Sequence, residues 1–310
     1  MKVLVIGGCG FIGSHVVDHL VASGIDTSVL DHRREAYRAA IAGVAYHHGV
    51  WNDPTTLSAV LNHGGFACVV HLGWTTTPQS ASLAPTADAQ ANVIGSLRLL
   101  DTCVRAKVRR VVFAGSGGTV YGPSDRLPLS EREPTEPISA YGIAKLAVEK
   151  YLRLYQRDHG LESLILRVSN PYGPRQNPDR SQGAVAVFAS RILSGRPIQL
   201  WGDGSAIRDY LHVVDVADAF HRAVTGPATG VFNIGSGLGT SLAELIALIE
   251  RQADARAQVE YRPARPLDVP AVVLDRSHAE RVLGWRPQTP FDAGLRTTIA
   301  WLRAQAGGAA

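Results

Sequence analysis

Six short apolar runs recur through the first half of the chain: KVLVIG, TSVLD, GVAYHH, ACVVHLG, RRVVFAG and SLILRV. They are continuous rather than alternating, which is the pattern of strands covered on both faces. The segments between them have room for crossover helices. Strand and helix in alternation predict a parallel sheet with helices on both sides, an α/β Rossmann-type doubly wound fold. Beyond residue 170 the texture changes: NPYGPRQNPDRSQG is rich in Pro, Gly and Asn, and short strands and loops then mix with helical patterns near 213–225, 240–252, 276–283 and 290–305. A main domain over 1–170 and a smaller C-terminal α/β lobe over 171–310 are expected, the chain being able to cross back to the first. No fixed-period repeat competes with this reading.

The first run leads straight into a glycine loop. VLVIGGCGFIGSHVVDHL places Gly7, Gly10 and Gly13 between the first strand and the first helix. In that context the first glycine permits the tight turn, the second lets backbone approach a pyrophosphate, and the third lets helix pack on strand. Unpaired N–H groups at the helix start then face the phosphates. Asp31 ends the second strand, where a carboxylate accepts hydrogen bonds from ribose hydroxyls and repels a 2′-phosphate. That favours NAD over NADP, although His32, Arg33 and Arg34 follow at once and arginines there suit a phosphate.

SAYGIAKLAVEKYL (139–152) sets Tyr141 and Lys145 four positions apart on an amphipathic helix, so both share one face. With 9 Tyr and 4 Lys in 310 residues, chance supplies roughly 0.1 such pairs. Bringing a phenol from a pKa of about 10 to about 7 takes about 4 kcal/mol of preferential stabilisation of the phenolate. A cation about 4 Å away, at an effective dielectric near about 20, supplies that much. Lys145 with an oxidised nicotinamide would make Tyr141 a base that removes a hydroxyl proton as hydride leaves the same carbon. The plainer reading is Tyr141 as a half-buried core aromatic.

Composition narrows the field. The apolar fraction of 45% and charged fraction of 19% describe a globular chain with one short low-complexity tail, AQAGGAA. The net charge of +4 comes from 27 Arg and 4 Lys scattered along the chain, without a like-charged block, so no nucleic-acid surface is expected. MKVLVIGG is too short and too soon broken by glycine for a signal peptide, and no run approaches the about 18 uncharged apolar residues of a membrane span. A cytoplasmic protein follows. Cys9, Cys68 and Cys103 have no metal-ligand spacing and read as reduced thiols, with no metal.

GGCGFIGS, GSGGTVYG (115–122), YGIAK, SNPYGP, RDYLHVVDVADA and RPLDVPAVVLD occur in this order. Through them the chain resembles the extended short-chain dehydrogenase/reductases, specifically the UDP-galactose 4-epimerase-like nucleotide-sugar enzymes, over nearly its whole length. The resemblance implies an NAD site that takes in Gly7, Gly10, Phe11, Ile12, Gly13, Asp31, His32, Trp51, Leu72, Gly73, Trp74, Asn92, Tyr141 and Lys145, with Lys145 hydrogen-bonding the nicotinamide ribose. It implies a UDP-sugar site at Ser116, Tyr141, Asn170, Arg208, Arg265 and Asp268, Asn170 meeting the diphosphate. The fixed forks of two arginines suit a pyrophosphate; Arg208 in a surface ion pair with Asp209 or Asp215 is the alternative. Trp201 lies either near the uracil or in the core. A homodimer through helices around 86–107 and 139–159 is implied as well.

Three departures from the family pattern stand out. The usual Ser or Thr four residues before the tyrosine of VYG is Gly117, leaving Ser116 or Thr119 to meet the reacting hydroxyl. The adenine-contacting acid after the third strand is Val50. Gly117 and Gly118 occupy the place where 4,6-dehydratases carry an Asp-Glu pair, so elimination lacks its acid and base. No basic residue follows YGPRQ, Asn177 being next, which favours a neutral hexose, and the small Val272, at a position that limits groups at sugar C2, admits an N-acetyl group. The expected activity is NAD-dependent inversion of C4 of a UDP-hexose, with Tyr141 as base. The alternatives are net reduction of a 4-keto nucleotide sugar, or a cofactor-sensing protein without catalysis.

Overall fold

β1 (Lys2–Ile6) is the keel of the molecule, and its alternate side chains found two different cores. Val3 and Val5 join Val16, Val17 and Leu20 of α1 (Phe11–Ala22) on one face. Leu4 and Ile6 join the opposite layer. The computed structural model describes residues 1–179, 182–265 and 269–307.

β2 (Asp26–Asp31), β3 (Ala45–His48), α2 (Pro54–Gly64) and β4 (Cys68–His71) follow, then two short helices, α3 (Pro78–Leu83) and α4 (Pro85–Asp88). The expected helix over 86–107 is interrupted by a π turn, Ala89–Ile94, before α5 (Gly95–Arg105). α2 and α5 meet closely there: a Cβ on Gly95 would lie 2.7 Å from Asn52 and 3.2 Å from the Trp51 ring. β5 (Arg110–Ser116), α6 (Ala140–His159) and β6 (Glu162–Val168) complete the run. Ser139 caps α6, its hydroxyl accepting from Gly142 N–H, and Gly160 at φ +67° ends it.

In the second half β7 (Asn170–Tyr172), α7 (Ala184–Leu193), β8 (Ile198–Trp201), β9 (Ile207–His212), α8 (Val213–Thr225) and β10 (Gly230–Ile234) precede β11 (Gly239–Ser241), α9 (Leu242–Ala253), β12 (Val259–Arg262), β13 (Ala271–Val272), α10 (Ser277–Leu283) and α11 (Phe291–Gly307). The main sheet has the order β3-β2-β1-β4-β5-β6-β10 with every pairing parallel. Its last strand therefore comes from beyond residue 170, and so does α8, whose buried Val216, Phe220 and Val224 pack into the α1 layer. The other lobe gathers β7, β9, β11 and β13 into one small sheet and pairs β8 with β12, while α7, α9 and α11 enclose a separate core around Phe188, Leu245 and Leu295. Strand order reverses between β1 and β4, which opens a crevice at their carboxyl ends.

Where α1 meets α8 on the outside, His19, Asp218 and His221 place ligand-type atoms within 4.8 Å of one another. Arg222 Nε donates to the Asp218 carboxylate at 2.8 Å, so a fixed cation already serves that acid. All three cysteines are buried free thiols. No helix among the described residues is long and apolar enough to cross a membrane.

Candidate active site

Two cavities open at the crevice. One, about 740 Å³, runs from the glycine loop across the ends of β1, β2 and β4; the other, about 770 Å³, lies between the lobes. Both are lined by Phe11, Ile12, Ser116, Tyr141 and Ser169, so those residues form a shared wall.

The first cavity suits a dinucleotide. Gly7 has φ +81°, and a Cβ on Gly13 would come within 2.0 Å of the Gly7 carbonyl oxygen, so helix and loop approach as only glycine allows. Gly10 at the N-cap of α1 makes no side-chain cap, leaving the first-turn N–H groups to a ligand. Asp31 is buried at the cavity wall, its carboxylate held by Cys9 N–H at 3.0 Å and Arg33 N–H at 2.9 Å. His32, Arg33, Val50, Trp51, Leu72, Gly73 and Trp74 line the same cavity, with Val50 where an acid was looked for. Arg34 is outside its lining. Asn92 stands behind the wall rather than in it. Its Oδ1 accepts from Thr75 N–H at 3.0 Å and its Nδ2 donates to Thr76 Oγ1 and Asp88 Oδ1, so Thr75 and Thr76 are the residues presented to the cavity.

Tyr141 and Lys145 do share one face of α6, and both reach the first cavity. Burial, and then Asp88, push the Tyr141 phenol well above its ordinary range. Lys145 Nζ lies 5.7 Å from the centre of the tyrosine ring and donates to Ala114 O at 2.9 Å. Burial pulls Lys145 down to about 7 against the opposing charges of Glu149 and Asp88.

Ser116 and Thr119 sit together at the shared wall, Thr119 Oγ1 donating to Ser116 Oγ at 2.8 Å. The second cavity then extends past Asn170 to Arg208, Trp201 and Arg265. Arg265 stacks over the Trp201 indole at 3.9 Å, which places Trp201 at the cavity mouth rather than in the core. Asp209 and Asp215 are held elsewhere, by Ser236, Gly237 and Leu274 and by Gln288 and Thr289. Between the arginines and the shared wall the lining is neutral: Gln79, Ser82, Gln176 and Gln182.

Residues 3–235 match the model of the NAD dependent epimerase/dehydratase family. The chain belongs to that family. A UDP-glucose 4-epimerase of Mycolicibacterium smegmatis is 38% identical over 98% of this chain and 99% of its own length. The crystal structure of a Thermotoga maritima UDP-glucose 4-epimerase with UDP-glucose superposes with a TM-score of 0.94 at 35% identity, covering 99% of this chain and 100% of that one. A dTDP-4-dehydro-6-deoxyglucose reductase of Escherichia coli is 29% identical over 97% of each chain. The family's NAD has a site here that fits it in glycine loop, helix end and Asp31.

Family membership makes the departures readable. A Cβ on Gly117 would lie 2.4 Å from Leu274 Cδ1 and 3.0 Å from Arg167 O, so a side chain there would require Leu274 to repack, and it is the neighbouring Ser116 that lines the cavity. Val272 is corrected: it is 2% exposed in a core with Val120, Tyr121 and Leu274 and does not line the sugar cavity, so its size does not gate an N-acetyl group. Asp268 lies outside the described residues. Ser169 and Tyr210 were missed by sequence reasoning. Their hydroxyls are buried at the cavity wall without hydrogen-bond partners among the described residues, and their only signal was adjacency to Asn170 and Asp209.

Proposed function

We propose that the protein is an NAD-dependent epimerase that inverts C4 of a UDP-hexose. The observation that carries this reading is the shared wall: Ser116 and Tyr141 stand between a dinucleotide cavity and a cavity whose far end holds Arg208, Arg265 and Trp201.

NAD+ held in the glycine-loop cavity would supply the hydride acceptor and donor and a positive ring charge. Tyr141 takes the 4-hydroxyl proton, through or beside the Ser116–Thr119 hydroxyl pair, as hydride leaves C4, and later returns that proton to the C4 oxygen as hydride comes back to the opposite face of the 4-keto carbon. Lys145 favours the phenolate. Arg208 and Arg265 hold the diphosphate end, Asn170 helps there, and the Trp201–Arg265 stack offers the uracil a flat surface. The neutral amides around the sugar leave it able to present either face, which inversion requires. Binding energy is then concentrated away from the reacting ring.

The test is incubation of purified protein, without added cofactor, with UDP-glucose and UDP-galactose and with their N-acetyl forms. Inversion supports the proposal; turnover only of a 4-keto sugar with added NADH would establish net reduction, and failure of both would leave a cofactor sensor. Replacing Arg208 by Ala removes one charge-assisted contact, so KM should rise roughly 10- to 100-fold with kcat little changed. A steady-state comparison of the two constants checks this, and a fall confined to kcat would contradict it.

A homodimer is part of the same proposal. Ile143, Tyr151 and Leu154 are exposed on one side of α6, with Ile94 exposed beside it. Sedimentation equilibrium should return twice the chain mass. The buried free thiols fit a reducing, cytoplasmic setting.

A further inference from the structure

Lys145 is enclosed by aromatic rings. Its Nζ stands 3.7 Å from the centre of the Trp74 ring, 4.8 Å from Phe113 and 5.7 Å from Tyr141. Trp74 also meets the Tyr141 ring edge-on, with centroids 5.8 Å apart at 69°. The indole Nε1 is buried and has no hydrogen-bond partner among the described residues. An indole placed for its N–H would have one. This ring is placed for its face.

We propose that Trp74 is a positioning residue whose indole face keeps Lys145 protonated and fixed beside Tyr141. A cation over the face of a tryptophan is attracted by the ring quadrupole, most strongly where water is excluded. Lys145 is 4% exposed, and its Nζ donates to Ala114 O at 2.9 Å. The ring thus replaces part of the hydration that burial removes. Other groups around the ammonium are few. Glu149 on the same helix and Asp88 from α4 favour its charge, and burial opposes it. His71 of β4 is kept neutral, at about 3, by burial and by Lys145 itself. Arg167 of β6 faces the far side of Glu149, to which it is paired. Phe113 offers a second, more distant face.

The purpose assigned to the ammonium rests on the epimerase reading, but the measurement does not. The chain has 4 lysines, Lys2, Lys107, Lys145 and Lys150, so protein labelled with 15N at lysine Nζ gives a spectrum simple enough to titrate. The Lys145 signal is the one lost in Lys145→Arg. In Trp74→Leu, which keeps an apolar side chain without the quadrupole, the Lys145 midpoint should fall by about one pH unit. In Trp74→Phe the fall should be less than about half of that, and the other three lysines should not move. A Lys145 midpoint in Trp74→Leu within about 0.2 unit of the parent overturns the proposal. If the leucine variant fails to fold, Trp74→Ala decides in its place: a fall of about one pH unit supports the proposal and a midpoint within about 0.2 unit of the parent overturns it. Loss of the epimerase reading would appear separately, as an absence of inversion with these titrations unchanged.

Discussion

Replacing Tyr141 by Phe should lower epimerisation by at least about 10³-fold, in line with the loss of a positioned general base, while the melting temperature stays within a few degrees of the parent. The ring contacts with Trp74 survive the change and only the hydroxyl goes. The structure also dictates why no neighbour substitutes. The Ser116 and Thr119 hydroxyls are hydrogen-bonded to each other, and no cation meets them among the described residues. Loss of one proton from protonated Tyr141 and Lys145 leaves either phenolate with ammonium, the form able to act as base, or phenol with amine, which is not. Burial and Asp88 raise the phenol, and burial lowers Lys145 to about 7, so without added charge the second form wins. Glu149, Asp88 and the Trp74 face pull Lys145 back toward ammonium, and the positive ring of NAD+ favours the phenolate. Activity should therefore rise with pH as the first proton leaves, then fall as the remaining one does. Comparing initial rates of UDP-galactose conversion for parent and variant checks the main claim; a variant retaining a tenth of parental turnover would remove Tyr141 from the role of base.

The sheet and the nucleotide loop were legible in the sequence because each depends on residues close together in the chain. Continuous apolar runs announced β1, β2 and β4 to β6, and Gly7, Gly10, Gly13 and Asp31 declared a function through local geometry alone. What required coordinates was long-range. Nothing in GVFNI distinguishes a strand that closes the main sheet beside β6 from one that belongs to the smaller lobe, yet β10 does the former. Helical spacing put Tyr141 and Lys145 on one face, but only the fold shows that Trp74 of the β4 loop slides beneath the ammonium. Asn92 lies behind Thr75 and Thr76, to which it is hydrogen-bonded and which line the cavity, because the π turn carrying it packs behind the loop. Val272 turned inward because β13 pairs with β9 beside the core formed by Leu274.

Glu149→Gln should destabilise the protein by about 3–5 kcal/mol, the cost of leaving a buried guanidinium without its counter-charge, and so lower its melting temperature by roughly 5–15 °C. Arg167 and Glu149 are 3% and 1% exposed and meet through three hydrogen bonds between α6 and β6. The pair is not an efficient source of stability, since two charges are taken out of water and Arg167 Nη1 has no hydrogen-bond partner among the described residues. Replacing both residues with apolar ones of similar size, as in Glu149→Leu with Arg167→Met, should therefore recover most of the loss. Calorimetric melts of the parent, single and double variants decide this, and a double variant no more stable than Glu149→Gln would show that the pair itself carries the stability. The recovered protein should still be impaired. Glu149 helps hold the proton on Lys145, so its removal, even in a well-folded double variant, should move the alkaline fall of activity to lower pH. Stability and catalysis would then separate at a single ion pair beneath the catalytic helix, with the charge kept for Lys145 rather than for the fold.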